Sequence, residues 1–193
     1  QVGGTPEAFA LPYDAWMGAA PDDEPVPAGF DDDLLFIMYT SGTTGLPKGC
    51  MHTHRTLMHN AVSGQWGHGG PESVGLGVVP MFHITGMVLC VLGAVYAGAT
   101  TVLMPRWDRE LAGRLISRYR VTHWTAIPTM IVDLFASPHY KSFDLSSLRN
   151  IGGGGAAMPL AVAQRLLDEF GLTFAEGYGL TETAAPSHSN PPE

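Results

Sequence analysis

Residues 34–49, Leu34-Leu35-Phe36-Ile37-Met38-Tyr39-Thr40-Ser41-Gly42-Thr43-Thr44-Gly45-Leu46-Pro47-Lys48-Gly49, join an unbroken apolar run to a loop of small and hydroxylated residues. A run without polar alternation predicts a strand buried on both faces, the habit of parallel sheets. Three glycines in the loop allow the backbone to approach a ligand and turn its N–H groups inward. Thr40, Ser41, Thr43 and Thr44 add rotatable hydroxyl donors, and Lys48 adds a compact positive charge. Many donors, little bulk and one mobile cation suit a polyphosphate. The Walker pattern does not fit, because Pro47 stands where its second glycine belongs and Gly49 where its hydroxyl belongs.

Downstream of this stretch, strand and helix patterns alternate. A helix is predicted from about Arg55 to Trp66, a strand over Val74–Val79, a helix over Gly86–Ala97 and a strand over Thr100–Met104. Asp108 can cap a helix whose apolar face carries Leu111, Leu115, Ile116 and Tyr119. Val121–Ile127 reads as a strand, and Pro128 opens a helix at its first position. Leu148–Ile151 reads as a short strand. Pro159 opens a helix striped by Leu160, Ala163, Leu166, Leu167 and Phe170, and Leu172–Ala175 reads as the last strand. This order predicts an α/β fold with a mostly parallel β-sheet flanked by helices. Ligands of such sheets bind outside the carboxyl ends of the strands. Four strand-end loops therefore stand out: Thr40–Gly49, Pro80–Gly86, Gly152–Pro159 and Glu176–Thr183.

The chain has 193 residues, 45% hydrophobic and only 15% charged, with a formal charge of −8. That balance excludes intrinsic disorder and predicts a surface partly covered by another domain, a subunit of a homo-oligomer or a ligand. No basic run points to nucleic acid. Cys50 and Cys90 have neither metal nor disulfide-scaffold spacing, so two reduced thiols in a cytoplasmic protein are expected. Residues 1–33, rich in Pro and acid, read as a connecting arm before an α/β unit over 34–193. The uncharged run Ile84–Met104 is long enough to span a bilayer, yet Gly86, Gly93 and Gly98 interrupt it. A buried helix, a glycine stop and a buried strand explain it better, so no transmembrane segment is expected. His52, His54 and His59 lack accompanying ligands, which argues against zinc; His52 and His54 would line a wall or interface.

Three of the loops carry a resemblance. Tyr39–Gly49 closely resembles the signature phosphate loop of the acyl-adenylate-forming (AMP-binding) superfamily, which includes acyl-CoA synthetases and peptide-synthetase adenylation domains. Gly177-Tyr178-Gly179-Leu180-Thr181-Glu182-Thr183 matches a second motif, and Gly152-Gly153-Gly154-Gly155-Ala156-Ala157-Met158-Pro159 resembles its adenine-side loop. The likeness spans roughly Asp33 to Thr183 and is strongest to acyl-CoA synthetases.

The resemblance implies an enzyme that activates a carboxylic acid with ATP as acyl-AMP and passes the acyl group to coenzyme A, an acid–thiol ligase. By resemblance, Thr40, Ser41, Gly42, Thr43, Thr44, Gly45 and Lys48 would hold the β- and γ-phosphates, and Thr181 the α-phosphate. Glu182 would bind Mg²⁺. Tyr178 would pack on adenine, with Gly153, Gly154, Gly155 and Ala156 on the other face and Glu176, Gly177 and Gly179 completing the nucleotide loop. Lys48, His83, Thr181 and Glu182 would be catalytic. His83, Trp124, Ile127, Met130 and Gly152 would contact the acid. Amino-acid-activating relatives carry an aspartate in the Pro80–Gly86 region, and no carboxylate occurs between Glu72 and Asp108. An ammonium would lack its partner there, so a fatty or aryl acid is expected. The family's ribose-binding Gly-Asp and its small mobile domain with a catalytic lysine have no counterpart here, so the chain reads as a central fragment missing N- and C-terminal parts of its parent, and inactive alone. The alternatives are an adenylation domain that loads a carrier protein, and a non-catalytic nucleotide-binding module of the same fold.

Overall fold

The structure, a computed structural model, describes residues 12–23, 29–42, 45–64 and 69–190. Contacts divide the chain into two compact units, 1–30 and 31–193. Among its described residues the smaller unit has one short helix, α1 (Tyr13–Gly18), which follows Pro12 and carries Asp14 in its first turn, where a carboxylate suits the helix dipole.

The larger unit begins with an antiparallel hairpin, β1 (Leu34–Thr40) and β2 (Lys48–Thr53), in which Tyr39 pairs with Gly49 and Thr40 with Lys48. This corrects the expectation of a strand buried on both faces. Phe36 and Met38 pack inward against Leu57, Ile84 and Val88. Leu35, Ile37 and Tyr39 alternate to the other side, where Tyr39 is 68% exposed and Met51 on the paired strand 72%. The run is apolar throughout, but a two-residue period puts every second side chain on the hairpin's uncovered face.

The remaining strands are β3 (Val74–Gly77), β4 (Thr100–Leu103), β5 (His123–Thr125), β6 (Asn150–Gly153), β7 (Phe174–Leu180) and β8 (Ala185–Ser189). They form one sheet in the order β4-β3-β5-β6-β7-β8. All neighbours are parallel except β7 and β8. The predicted mostly parallel sheet is present. Strand order reverses beside β3, with β4 on one side and β5 on the other, so the loops leaving β3 and β5 diverge and open a crevice at the carboxyl ends.

Most helix signals are realised. Thr53 and Thr56 form a capping box at the start of α2 (His54–Ser63). The segment after β3 winds as a π-helix over Gly86–Leu92 and continues as α3 (Gly93–Ala97), closed by Gly98 at φ 65°. Asp108 caps α4 (Arg109–Tyr119), accepting from the Leu111 N–H at 2.8 Å. α5 (Pro128–Phe135) begins at its proline, and α6 (Leu160–Phe170) ends on Gly171 in the left-handed region. Two stripes are narrower than predicted: Tyr119 is exposed, and in α6 Leu166 is buried while Leu160 is 84% exposed.

One face of the sheet is apolar. Leu76, Trp124 and Ile151 pack there with Ile116, Ile131, Leu134 and Leu166 of the covering helices. Next-door positions on the same strands, Gly75, His123, Thr125, Asn150, Gly152 and Ala175, point to the other face and floor a cleft. The last two strands differ from expectation. Residues 176–180, read as loop, continue β7, and β8 has no counterpart in the sequence reading. Gly177 and Gly179 weaken the strand signal, yet Gly179 is required there, because a Cβ would sit 2.2 Å from the Ala185 carbonyl oxygen. Pro186 is tolerated because β8 is an edge strand. No described helix is long and apolar enough to cross a membrane.

Candidate functional site

The cleft runs along the small-residue face of the sheet and opens at the strand ends, with a volume of about 1690 Å³. Thr40, His83, Gly152–Gly155, Glu176–Gly179, Thr181 and Glu182 all line it. Three of the four strand-end loops therefore meet at one rim, together with the last residue of β1.

Each is placed by a local device. Gly153 and Gly154 sit where neither could carry a side chain: a Cβ on Gly153 would lie 1.8 Å from the Ala126 carbonyl oxygen, and one on Gly154 2.2 Å from that of Gly177. Backbone packing of the strand ends is thus what demands these glycines. Gly155 has room but takes φ +87°, a left-handed turn that favours glycine, and faces Ile127, whose Cγ2 is 3.7 Å from the absent Cβ. His83 accepts the Thr85 backbone N–H on Nδ1 at 3.2 Å, which leaves the proton of the neutral ring on Nε2.

The turn that carries Thr181 and Glu182 is pinned by the hairpin and α2. Nε2 of buried His52 is 2.8 Å from the Thr181 carbonyl oxygen. Asn60 of α2 donates through Nδ2 to the carbonyls of Thr183 at 2.7 Å and Ala184 at 2.8 Å. Ala184 and Ala185 follow with φ of 57° and 85°, a left-handed pair that non-glycine residues rarely adopt. Such geometry persists where surroundings over-determine it, and Asn60 and the Thr183 hydroxyl, which accepts the Leu180 N–H and donates to the Ala185 carbonyl, do so here. The Cys50 thiol of β2 feels the Glu182 carboxylate across the junction of hairpin and turn. Burial first, and then the Glu182 charge, push that thiol up from its ordinary value. Cys90, on the buried side of the π-helix, is pushed up to about 11 by burial alone. Both cysteines are free thiols.

Several sequence expectations land elsewhere. Lys48 is exposed at the start of β2 and is not on the cleft wall; its neighbour across the hairpin, Thr40, is. Ser41, Gly42, Gly45 and Ala156 also stay off the wall, and Thr43 and Thr44 lie outside the described residues. Gly42 turns at φ +68°, so the hairpin loop does use one of its glycines as predicted. Trp124 borders the cleft, but it is 2% exposed and its ring stacks on Trp107 at 5.7 Å, on the core side of the sheet. Met130 is likewise a core residue. The strand read as Val121–Ile127 puts adjacent residues on opposite faces, which is why Trp124 turns away while His123 and Thr125 face the cleft. Ile127 and Gly152 are on the wall. Tyr178 is exposed on β7, with its ring 6.2 Å from that of His188. Of the two histidines expected at a wall or interface, His52 is buried on β2, whereas His54 begins α2 and is exposed.

The sequence reading missed Asn60, Ser187 and His188. Asn60 looks like any polar helix residue until the turn 123 positions away arrives beside it. Ser187 and His188 line the cleft only because β8 folds back along β7. Among the described residues no group of three or more His, Cys, Asp or Glu could hold a metal. Glu182 alone fits Mg²⁺, which commonly takes one or two carboxylates and completes its shell with phosphate oxygens and water.

Comparison with known proteins bears on this arrangement. The family model for AMP-binding enzymes matches residues 4–193. A feruloyl-CoA synthase of Amycolatopsis is 40% identical over 168 residues, 86% of this chain and 34% of the relative. A long-chain-fatty-acid–CoA ligase of Bacillus subtilis is 33% identical over 83% of this chain and 29% of its own length. The chain thus spans about a third of the length of these relatives. Among solved structures, the anthranilate CoA ligase AuaEII in complex with anthranoyl-AMP superposes with a TM-score of 0.85 at 27% identity, covering 98% of this chain and 38% of that one. The inhibitor-bound N-terminal domain of FACL13 from Mycobacterium tuberculosis gives 0.81 at 32% identity, covering 90% and 44%.

Proposed function

The chain belongs to the family of AMP-binding enzymes, and from that premise we propose that it is part of an ATP-dependent acid–thiol ligase that activates a fatty or aryl acid as acyl-AMP and passes it to coenzyme A. One observation carries the proposal: Thr40, His83, Gly153–Gly155, Thr181 and Glu182, drawn from four distant segments, line one cleft at the carboxyl ends of the strands. The chemistry joins an anionic carboxylate to a polyanionic phosphate, so catalysis is mainly positioning and charge neutralisation.

In this reading Glu182 would hold Mg²⁺, which would supply positive charge against the phosphates. The chain's own groups do the rest. The Thr40 and Thr181 hydroxyls donate to phosphate oxygens, and Lys48 reaches the outer phosphates from the hairpin as a mobile cation. Adenine rests against Tyr178 on one side and the Gly153–Gly155 turn on the other. His83, whose ring proton is on Nε2, donates to the acid's carboxylate and orients it. His52 and Asn60 hold the Thr181–Glu182 turn so that these donors need not reorganise on binding. Reduced cysteines agree with a cytoplasmic setting. Named relatives that are feruloyl-, fatty-acyl- and 4-coumarate–CoA ligases support coenzyme A, over a carrier protein, as acceptor.

Pyrophosphate release by the full-length parent, against a panel of fatty, aryl and amino acids, tests the proposal. Release with fatty or aryl acids and none with amino acids is the expected outcome. Release with amino acids alone would favour the peptide-synthetase alternative. No release with any acid would leave a nucleotide-binding module.

A further inference from the structure

Tyr178 and His188 face each other across β7 and β8. They are directly opposed in the antiparallel register, so their side chains leave the same face of the sheet. Their rings lie 6.2 Å apart at 56°, a tilted arrangement that aromatic pairs favour. Both residues line the cleft. The next pair in register is Gly179 with Pro186, so Ser187 is an extra residue on β8, a β-bulge. Bulges at sheet edges re-aim neighbouring side chains. Here the bulged residue also ties the histidine down. The Ser187 hydroxyl donates to the Tyr178 carbonyl at 3.3 Å, and its oxygen is 3.0 Å from His188 Nδ1. With its one proton directed at the carbonyl, Ser187 accepts the Nδ1–H of the imidazole. The imidazole is thereby fastened to the strand that carries Tyr178.

Tyr178 needs such a neighbour. Its ring is 60% exposed, and among the described residues His188 is the one ring in contact with it. An exposed tyrosine that turns freely about its side-chain bonds loses that freedom on gripping a base, at a cost in affinity. The sheet order puts the Gly153–Gly155 turn on one side of β7 and His188 on the other. Seen from the glycine turn, His188 therefore stands behind Tyr178. It holds the phenol ring without occupying the space between that ring and the turn.

We propose that His188 is a positioning residue for the nucleotide: it props Tyr178 so that the phenol ring is already turned toward Gly153–Gly155 before a purine arrives. The inference rests on the reading of Tyr178 as the adenine contact, and adds a residue of β8 that acts through the tyrosine. Loss of one aromatic pair should weaken ATP binding about threefold to tenfold.

The test is calorimetric titration of the full-length parent with Mg·ATP and, separately, with inorganic pyrophosphate, which has no base. His188→Ala should raise the Kd for ATP by that factor and leave the Kd for pyrophosphate unchanged. A generally loosened fold would weaken both. His188→Phe, which keeps the ring and drops the hydrogen bond, should restore most of the ATP affinity. In a Tyr178→Ala background, His188→Ala should have almost no further effect, because the two residues act as one unit. Unchanged ATP binding in His188→Ala, equal losses for ATP and pyrophosphate, no rescue by His188→Phe, or a full loss in the Tyr178→Ala background overturns the proposal. If ATP binding responds as expected but no acid supports pyrophosphate release, the ligase reading alone falls. No ATP binding by the parent overturns both.

Discussion

The imidazole of His52 meets the main-chain carbonyl of Thr181 at 2.8 Å, across 129 positions of sequence. That bond ties the hairpin beside the hydroxyl-rich loop to the turn that presents Thr181 and Glu182. Asn60 adds two more bonds to the same turn. β2 and α2 are therefore both fastened to the turn that carries Thr181 and Glu182.

Asn60→Ala removes both side-chain bonds and leaves two carbonyls beside a left-handed alanine pair. Folding stability should fall by roughly 1–3 kcal/mol, the usual cost of orphaned buried polar groups. Urea denaturation of the chain measures it. A change below 0.5 kcal/mol, the range of inconsequential surface substitutions, would mean the turn holds its shape without Asn60.

The glycines of the nucleotide loops should separate into two kinds. Gly153→Ala drives a Cβ to within 1.8 Å of the Ala126 carbonyl oxygen, so strands must part. A loss of about 3 kcal/mol or more is expected from such overpacking. Gly177→Ala meets nothing closer than 3.5 Å and should leave the melting temperature nearly unchanged. Equal melting temperatures for the two variants would contradict the packing assignment.

Cys50 reports on Glu182. The thiol is raised by burial and by the adjacent carboxylate, because both disfavour the thiolate. Glu182→Gln removes the charge, so the Cys50 pKa should fall and alkylation at mildly alkaline pH should quicken, while Cys90 stays protected. In the full-length parent the same substitution should weaken use of Mg·ATP, and Lys48→Ala should slow pyrophosphate formation. An alkylation rate profile unmoved by Glu182→Gln would separate the two side chains.

Much of this was legible beforehand where a signal is local. Asp108 and Pro128 marked helix starts, and Gly98 a helix stop, because capping depends on residues within one turn. The parallel sheet followed from alternation, and the glycine-rich strand ends from their spelling. What failed to show needed partners far away. β8 is weak in isolation and exists by pairing with β7. The apolar Leu34–Tyr39 run could not say that one of its faces lacks cover. Trp124 and Met130, expected to contact the acid, instead turn their side chains to the core because of where β5 and α5 dock. The role of His52 depends on Thr181, which no window of sequence contains.

The uncovered face of the hairpin has a consequence in solution. Leu35, Ile37, Tyr39 and Met51 form an exposed apolar stripe. The 193-residue chain should bind an apolar fluorescent dye and self-associate at high concentration, and Met51→Lys should reduce both. Dye binding unaffected by Met51→Lys would locate the sticky surface elsewhere.

The central claim is that loops from distant segments converge on one nucleotide at the rim of the sheet. Photolabelling of the full-length parent with 8-azido-ATP, followed by peptide mapping, tests it most directly. The account predicts label on peptides covering residues 150–158 and 174–183, competed away by ATP. Competable label confined to residues 109–119 and 128–142, the helices on the opposite face of the sheet, would contradict it.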